Sequence, residues 1–195
     1  SLFMSKNGLT IGISGAKGSF SEEAGRTFAK EEKIENPEFS YLTKADDVLE
    51  ALEEGKIDIG IFAIENSNGG VVTEYLPAIA KHRFSIRKIF EIPVNHMLLV
   101  KQSTKAADIT AVVSQKQALR QCRMYLRRQW PEVEVQEYVD TATAAKDLSE
   151  GTLPATSAVV ASARAGETYG LDVLEANIQD LKFNYTVFIA AEKLV

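Results

Sequence analysis

The chain has 195 residues and a net charge of −5, with 45% apolar and 25% charged residues. Those figures fit a soluble globular chain of one or two small lobes and argue against nucleic acid or an anionic membrane as its main partner. A single cysteine, Cys122, excludes an internal disulfide and a Cys-rich zinc site, and two histidines, His82 and His96, supply too few ligands for a His-based metal centre. No apolar run approaches the ~18 residues a membrane helix needs. No signal-peptide pattern opens the sequence, so the expected compartment is the cytoplasm.

The hydrophobic pattern alternates between short β-rich runs and helical stretches. Leu9–Ser14 reads as a strand closed by Gly15-Ala16-Lys17-Gly18. Ser21 is placed to cap a helix to about Glu32, with Ala24, Phe28 and Ala29 inward. After Asn36-Pro37 comes a strand over Phe39–Leu42. Thr43-Lys44-Ala45-Asp46 resembles a capping box, and its helix carries Val48, Leu49 and Leu52 and stops at Gly55. Asp58–Ile64 is a buried strand, followed by the polar turn Glu65–Gly70. A helix over Val72–Lys81 follows, with Pro77 as a kink, then strands over Ser85–Ile92 and Val94–Lys101. The second half repeats the rhythm without repeating the sequence. Strands are expected over Ile109–Val113, Val133–Val139, Ala158–Ala161 and Tyr185–Ala191. Helices are expected over Gln115–Gln129, Thr141–Glu150 and Ala163–Tyr169. Such alternation predicts a mainly parallel sheet covered on both faces, with ligands beyond the C-terminal ends of strands.

Three polar turns therefore carry the candidate chemistry. Gly15–Ser21 offers two glycines, Lys17 and a helix N-terminus to an anion, or is simply a strand-to-helix turn; it lacks the spacing of a Walker loop. Ile64-Glu65-Asn66-Ser67 brings out a carboxylate, an amide and a hydroxyl in sequence, suited to proton transfer and hydrogen-bond donation or to capping the next helix. Ser114–Cys122 opens a helix on which Lys116, Arg120, Arg123 and Arg127 form one basic stripe. Most of that stripe reads as solvated. Lys116 stands apart, because a cation in the first turn opposes the helix dipole and suggests an anionic ligand. Cys122 reads as a small apolar core residue and His96 as a hydrogen-bonded core or hinge residue. No nucleophile–histidine pair and no dinucleotide fingerprint is present.

Taken in order, these segments resemble the prephenate dehydratase family. Gly15-Ala16-Lys17-Gly18-Ser19-Phe20-Ser21-Glu22-Glu23-Ala24 is similar to its Gly-Pro-x-Gly-Thr/Ser-Phe/Tyr-Ser-Glu-x-Ala signature. Ile64-Glu65-Asn66-Ser67 with Gly70 and Val72 resembles Ile-Glu-Asn-Ser-x-x-Gly-x-Val. Pro93-Val94-Asn95-His96-Met97-Leu98 and Asp140-Thr141-Ala142-Thr143-Ala144-Ala145 match two further motifs. Tyr169-Gly170-Leu171 through Asn184, Thr186 and Phe188 resembles the closing segment. The resemblance runs from about Leu9 to Ala191. It covers the catalytic domain only, with no counterpart here of the phenylalanine-binding ACT domain that usually follows.

The resemblance implies an α/β, two-lobed fold like that of type II periplasmic binding proteins, with an active-site cleft between lobes at about 1–90 plus 178–195 and 91–177. It implies conversion of prephenate to phenylpyruvate, carbon dioxide and water in phenylalanine biosynthesis. No cofactor or metal is implied, and a homodimer is the candidate assembly. By resemblance, Thr186, Glu65 and Asn66 are catalytic, with Thr186 serving the leaving hydroxyl. Because threonine is a poor acid, a proton relay through Glu65 is expected. Substrate contacts are assigned to Ser19, Ser21, Ser67, Ser114, Lys116, Gln117, Thr141, Ala142, Asn184 and Phe188.

Two departures stand out. The family's Thr-Arg-Phe reads Thr186-Val187-Phe188, and its Ser-His-Pro-Gln-Ala-Leu reads Ser114-Gln115-Lys116-Gln117-Ala118-Leu119. Lys116 is the candidate to replace the lost arginine charge across the cleft. Alternative readings are a prephenate decarboxylase that leaves the ring unaromatised and a non-catalytic carboxylate-binding module on the same scaffold. Arogenate is an alternative substrate.

Overall fold

The computed structural model describes residues 8–68, 70–71 and 75–195. The elements are β1 (Thr10–Ser14), α1 (Phe20–Glu31), β2 (Glu38–Leu42), α2 (Ala45–Glu53), β3 (Ile59–Asn66), β4 (Gly70–Val71), α3 (Leu76–Lys81), β5 (Phe84–Pro93) and β6 (Met97–Val100). They continue with β7 (Ala111–Gln115), α4 (Lys116–Gln121), α5 (Arg123–Gln129), β8 (Glu134–Tyr138), α6 (Thr141–Glu150), β9 (Ser157–Ala161), α7 (Ala163–Tyr169), β10 (Asp172–Glu175) and β11 (Tyr185–Lys193). The chain is α/β, as expected, and falls into two units. One holds the chain up to Ala16, Phe20–Ile92 and Tyr185–Val195; the other holds Lys17–Ser19 and Pro93–Asn184.

The first unit's sheet runs β2-β1-β3-β11-β5, with β4 paired to β3. β1 is parallel to β2 and β3, whereas β11 is antiparallel to β3. The second sheet, taken from its other edge, runs β8-β7-β9-β6-β10. Here β7 is parallel to β8 and β9, and β6 is antiparallel to β9. The two units thus share one strand arrangement without sharing sequence. Each sheet buries both faces. Ile11, Ile13 and Phe188 pack with Phe28 of α1 on one side, and Phe62 and Ile189 pack with Val48 and Leu49 of α2 on the other. In the second unit Leu98 and Val112 face α4 and α5, whereas their neighbours Leu99 and Val113 face α6 and α7.

Several boundaries differ from the sequence reading for local reasons. α1 starts at Phe20, so Ser21 lies inside the first turn and does not cap it. α2 is entered one residue later than expected: the Lys44 N–H donates to Asp47 Oδ2 at 3.1 Å, and Asp46 is left to bind His82. Pro77 lies in the first turn of α3 and does not kink it, and residues 72–74 of the expected helix lie outside the described residues. The long helix over 115–129 breaks at Cys122. Asp180 causes the break: its carboxylate accepts the N–H groups of Met124 and Tyr125, both at 2.9 Å, and its own N–H donates to the Gln121 carbonyl at 2.8 Å. Residues 178–184 sit with the second unit, where the Ile178 N–H also donates to the His96 carbonyl. β10 went unread because its exposed face carries no apolar alternation.

Candidate active site

The first unit places Asn66 and Thr186 side by side at the end of the β3–β11 ladder. Their register is direct, Thr186 against Asn66 and Val187 against Glu65, but it shifts before Phe188, which faces Ala63. Ile64 is the extra residue of this bulge. Without it, the alternation would set Thr186 opposite Glu65; with it, Asn66 takes that place. Asn66 Nδ2 donates to Thr186 Oγ1 at 3.0 Å, and Thr186 is 8% exposed.

The amide is held in that sense. Asn66 Oδ1 accepts the Asn68 N–H at 2.9 Å, which turns Nδ2 toward Thr186. Beyond the ladder the Ser67 N–H donates to the Tyr185 carbonyl, and the Tyr185 N–H donates to Ser67 Oγ, each at 2.9 Å. The Ser67 hydroxyl therefore helps fix the strand ends as an acceptor. Because Thr186 Oγ1 accepts from Asn66, its own proton is left to donate. A hydroxyl that accepts one hydrogen bond gives a stronger one, so the pair is a polarised donor.

Glu65 does not join it. Its side chain leaves the opposite face of β3 from Asn66, is exposed and lies across from Val187, so the expected relay from Glu65 to Thr186 is not built. Phe188 is 1% exposed inside the core beside Phe90, with ring centroids 6.0 Å apart, and is packing rather than a substrate contact. A cavity of about 780 Å³ in the same unit is lined by Ser14, Thr43, Lys44, Phe62, Tyr75 and Lys81, among others, but not by Asn66 or Thr186.

In the second unit the turn Lys17–Ser19 is held by α7. Ser162 Oγ donates to the Gly18 carbonyl at 2.9 Å and accepts the Ala165 N–H, and the Tyr169 hydroxyl donates to the Lys17 carbonyl at 3.1 Å. Gly18 has φ +87°, and a Cβ there would lie 3.3 Å from Ala165 Cα. Ser19 and Thr141 are half-buried at the starts of α1 and α6, and Gln117 is half-buried in α4. Asp140 caps α6 through the Thr143 N–H at 2.6 Å. Ser114 was expected to touch substrate, but it is fully buried and donates to the Val160 carbonyl at 2.6 Å. The Ala142 side chain is buried, so only its backbone could serve.

Asn184 is corrected in the same way. It is 3% exposed and donates to Gln121 Oε1 at 3.0 Å, the atom that His96 Nε2 also reaches at 2.6 Å. The His96 N–H donates to Gln179 Oε1, whose Nε2 donates to Asn95 Oδ1. Burial pushes the His96 imidazole below its ordinary value and the Gln121 contact only partly offsets this, so it is neutral at physiological pH. This buried network ties the segment 94–96 to 179–184, the role foreseen for His96. Gln121 and Gln179 gave no signal in the sequence. Lys116 does not stand apart either: it lines a groove with Arg120, Arg123 and Arg127. Among the described residues no cluster of three or more His, Cys, Asp or Glu side chains is placed to hold a metal, and no helix is long and apolar enough to cross a membrane.

The model of the prephenate dehydratase family matches residues 11–193. Arogenate dehydratase 5 of Arabidopsis thaliana is 35% identical over 182 residues, which are 93% of this chain and 41% of that protein. The bifunctional chorismate mutase/prephenate dehydratase of Stutzerimonas stutzeri is 31% identical over 181 residues, 93% of this chain and 48% of that one. The chain thus spans less than half the length of these relatives. A prephenate dehydratase from Arthrobacter aurescens, solved in complex with L-Phe, superposes with a TM-score of 0.86 at 25% identity, covering 96% of this chain and 60% of its own.

Proposed function

The chain belongs to the prephenate dehydratase family, and we propose that it carries out the family's reaction, the decarboxylating dehydration of prephenate to phenylpyruvate. The observation that supports this most is the Asn66–Thr186 donor pair. In the reaction the electron pair of the ring carbon–carboxylate bond moves into the ring as carbon dioxide leaves. Aromatisation then expels the ring hydroxyl, which departs as water once it has gained a proton. The driving force lies in the ring, so the protein needs to orient the substrate, desolvate the carboxylate and stabilise the leaving oxygen.

The Thr186 hydroxyl donates to that oxygen as negative charge develops there. Asn66 Nδ2 stabilises Oγ1 as charge shifts onto it, which makes Asn66 a positioning residue. Ser19, Gln117 and Thr141 are the remaining candidates to hold the substrate's two carboxylates. Ser21 lies in the same first turn as Glu22 and stays in the proposed set. The partner is a small dicarboxylate, and the cytoplasm remains the proposed compartment.

Arogenate carries an amine where prephenate carries the keto oxygen, and relatives bear both names. Incubating the chain with each compound and resolving products by proton NMR tests the proposal. Phenylpyruvate or phenylalanine above the spontaneous background supports it and identifies the substrate. Loss of carbon dioxide with the ring hydroxyl retained would replace it with the non-aromatising decarboxylase. Stabilisation by either compound without turnover would replace it with a binding module.

A further inference from the structure

The second unit carries a groove that the proposed reaction does not use. It lies between α4–α5 and the edge strand β8 and has a volume of about 730 Å³. Leu119, Leu126, Trp130, Val133 and Val135 give it apolar walls. The first two are buried in the core behind it, whereas Val135 is 49% exposed. Lys116, Arg120, Arg123 and Arg127 also line it. They come from two consecutive short helices, Lys116 and Arg120 from α4 and Arg123 and Arg127 from α5, on either side of the break at Cys122. Lys116, Arg123 and Arg127 make no ion pair with any of the described residues, although the chain as a whole is acidic.

We propose that this groove docks an acidic amphipathic polypeptide segment, one whose carboxylates meet the basic row while its apolar side chains cover Leu126, Trp130 and Val135. Charge complementarity selects the occupant. A single small carboxylate needs one or two of these cations, whereas four of them set along α4 and α5 match a polymer that carries several acidic residues. Nucleic acid is a poorer match. The groove's apolar walls offer nothing to phosphates, whereas an amphipathic segment covers them.

Trp130 is the only tryptophan in the chain, so its emission reports what enters the groove. The probe is a 15-residue helical peptide with Glu at positions 2, 6, 9 and 13 and Leu on the adjacent face. Titrated into the full chain, it should shift Trp130 emission to the blue and saturate, and binding should weaken as salt rises. The R120E/R123E/R127E variant should bind about 30-fold more weakly while keeping its activity. The milder R123Q/R127Q variant serves if the triple reversal does not fold, and should show a smaller loss in the same direction. Three results would overturn the proposal: equal binding of a scrambled peptide of the same composition, tighter binding of a single-stranded oligonucleotide, or saturation with no change in Trp130 emission.

Discussion

If Asn66 acts only through Thr186, the two residues must fail together. Thr186→Val removes the donor to the leaving oxygen and keeps the side-chain volume. Loss of one well-placed donor of this kind costs about 10²–10³ in kcat, or roughly 3–4 kcal/mol. Asn66→Ala leaves the hydroxyl in place but removes the 3.0 Å hydrogen bond that polarises it. A neutral hydrogen bond contributes about 1 kcal/mol, so kcat should fall about fivefold to tenfold, with KM nearly unchanged. The double variant should be no slower than Thr186→Val, because Asn66 has nothing left to act on. The assay is phenylpyruvate or phenylalanine formation from whichever substrate turns over, for all four members of the cycle. Fully multiplicative losses would refute the coupling. So would a Glu65→Gln variant as slow as Thr186→Val, since the bulge at Ile64 places Glu65 on the other face of β3.

Other outcomes follow from single contacts. His82 sits between Asp46 at 2.7 Å and Glu53 at 2.8 Å. Burial lowers its pKa, but the two carboxylates outweigh burial and leave it raised above 6.5. The clamp's stabilisation should therefore be complete below about pH 6.5 and fade as pH rises through the raised value. Thermal melts at pH 6 and 9 should differ by about 2–4 °C more in the wild type than in His82→Ala, and equal differences would remove the clamp. Gly18→Ala should destabilise by about 1–3 kcal/mol, since φ +87° and the Ala165 backbone both oppose a Cβ; an unchanged melting temperature would contradict that geometry. Burial pushes the Cys122 thiol up to about 12, so a thiol reagent at pH 8 should label it only in denaturant, and rapid labelling of the native chain would show that the core at the α4–α5 break opens readily.

Much of the molecule was legible in the sequence. α6 and α7 have the limits expected of them, each with a side-chain cap before it and a left-handed glycine after it, Gly151 and Gly170. Ala24, Phe28 and Ala29 are buried on α1 as their spacing required. Asn66 and Thr186, 120 residues apart, were brought together only by the resemblance to the family. The helix limits and buried faces depend on local chemistry: helix periodicity, caps and turn residues act over a few residues and leave their mark in the order of the chain.

What the tertiary structure decided was where each polar group spends its hydrogen bonds. The bulge at Ile64 gave Asn66 the place beside Thr186 that strict alternation would have given Glu65. The Ser114 hydroxyl, expected to hold substrate, went instead to the backbone of Val160. Asp180 broke a helix that its own sequence would have continued, because a carboxylate from 55 residues away satisfies amide groups that a continuous helix would have used. The shared strand order of the two units was hidden as well, since it depends on which strand completes each sheet from afar. Local periodicity specifies elements and faces. Register and partner choice come from long-range contacts, which no short window of sequence contains.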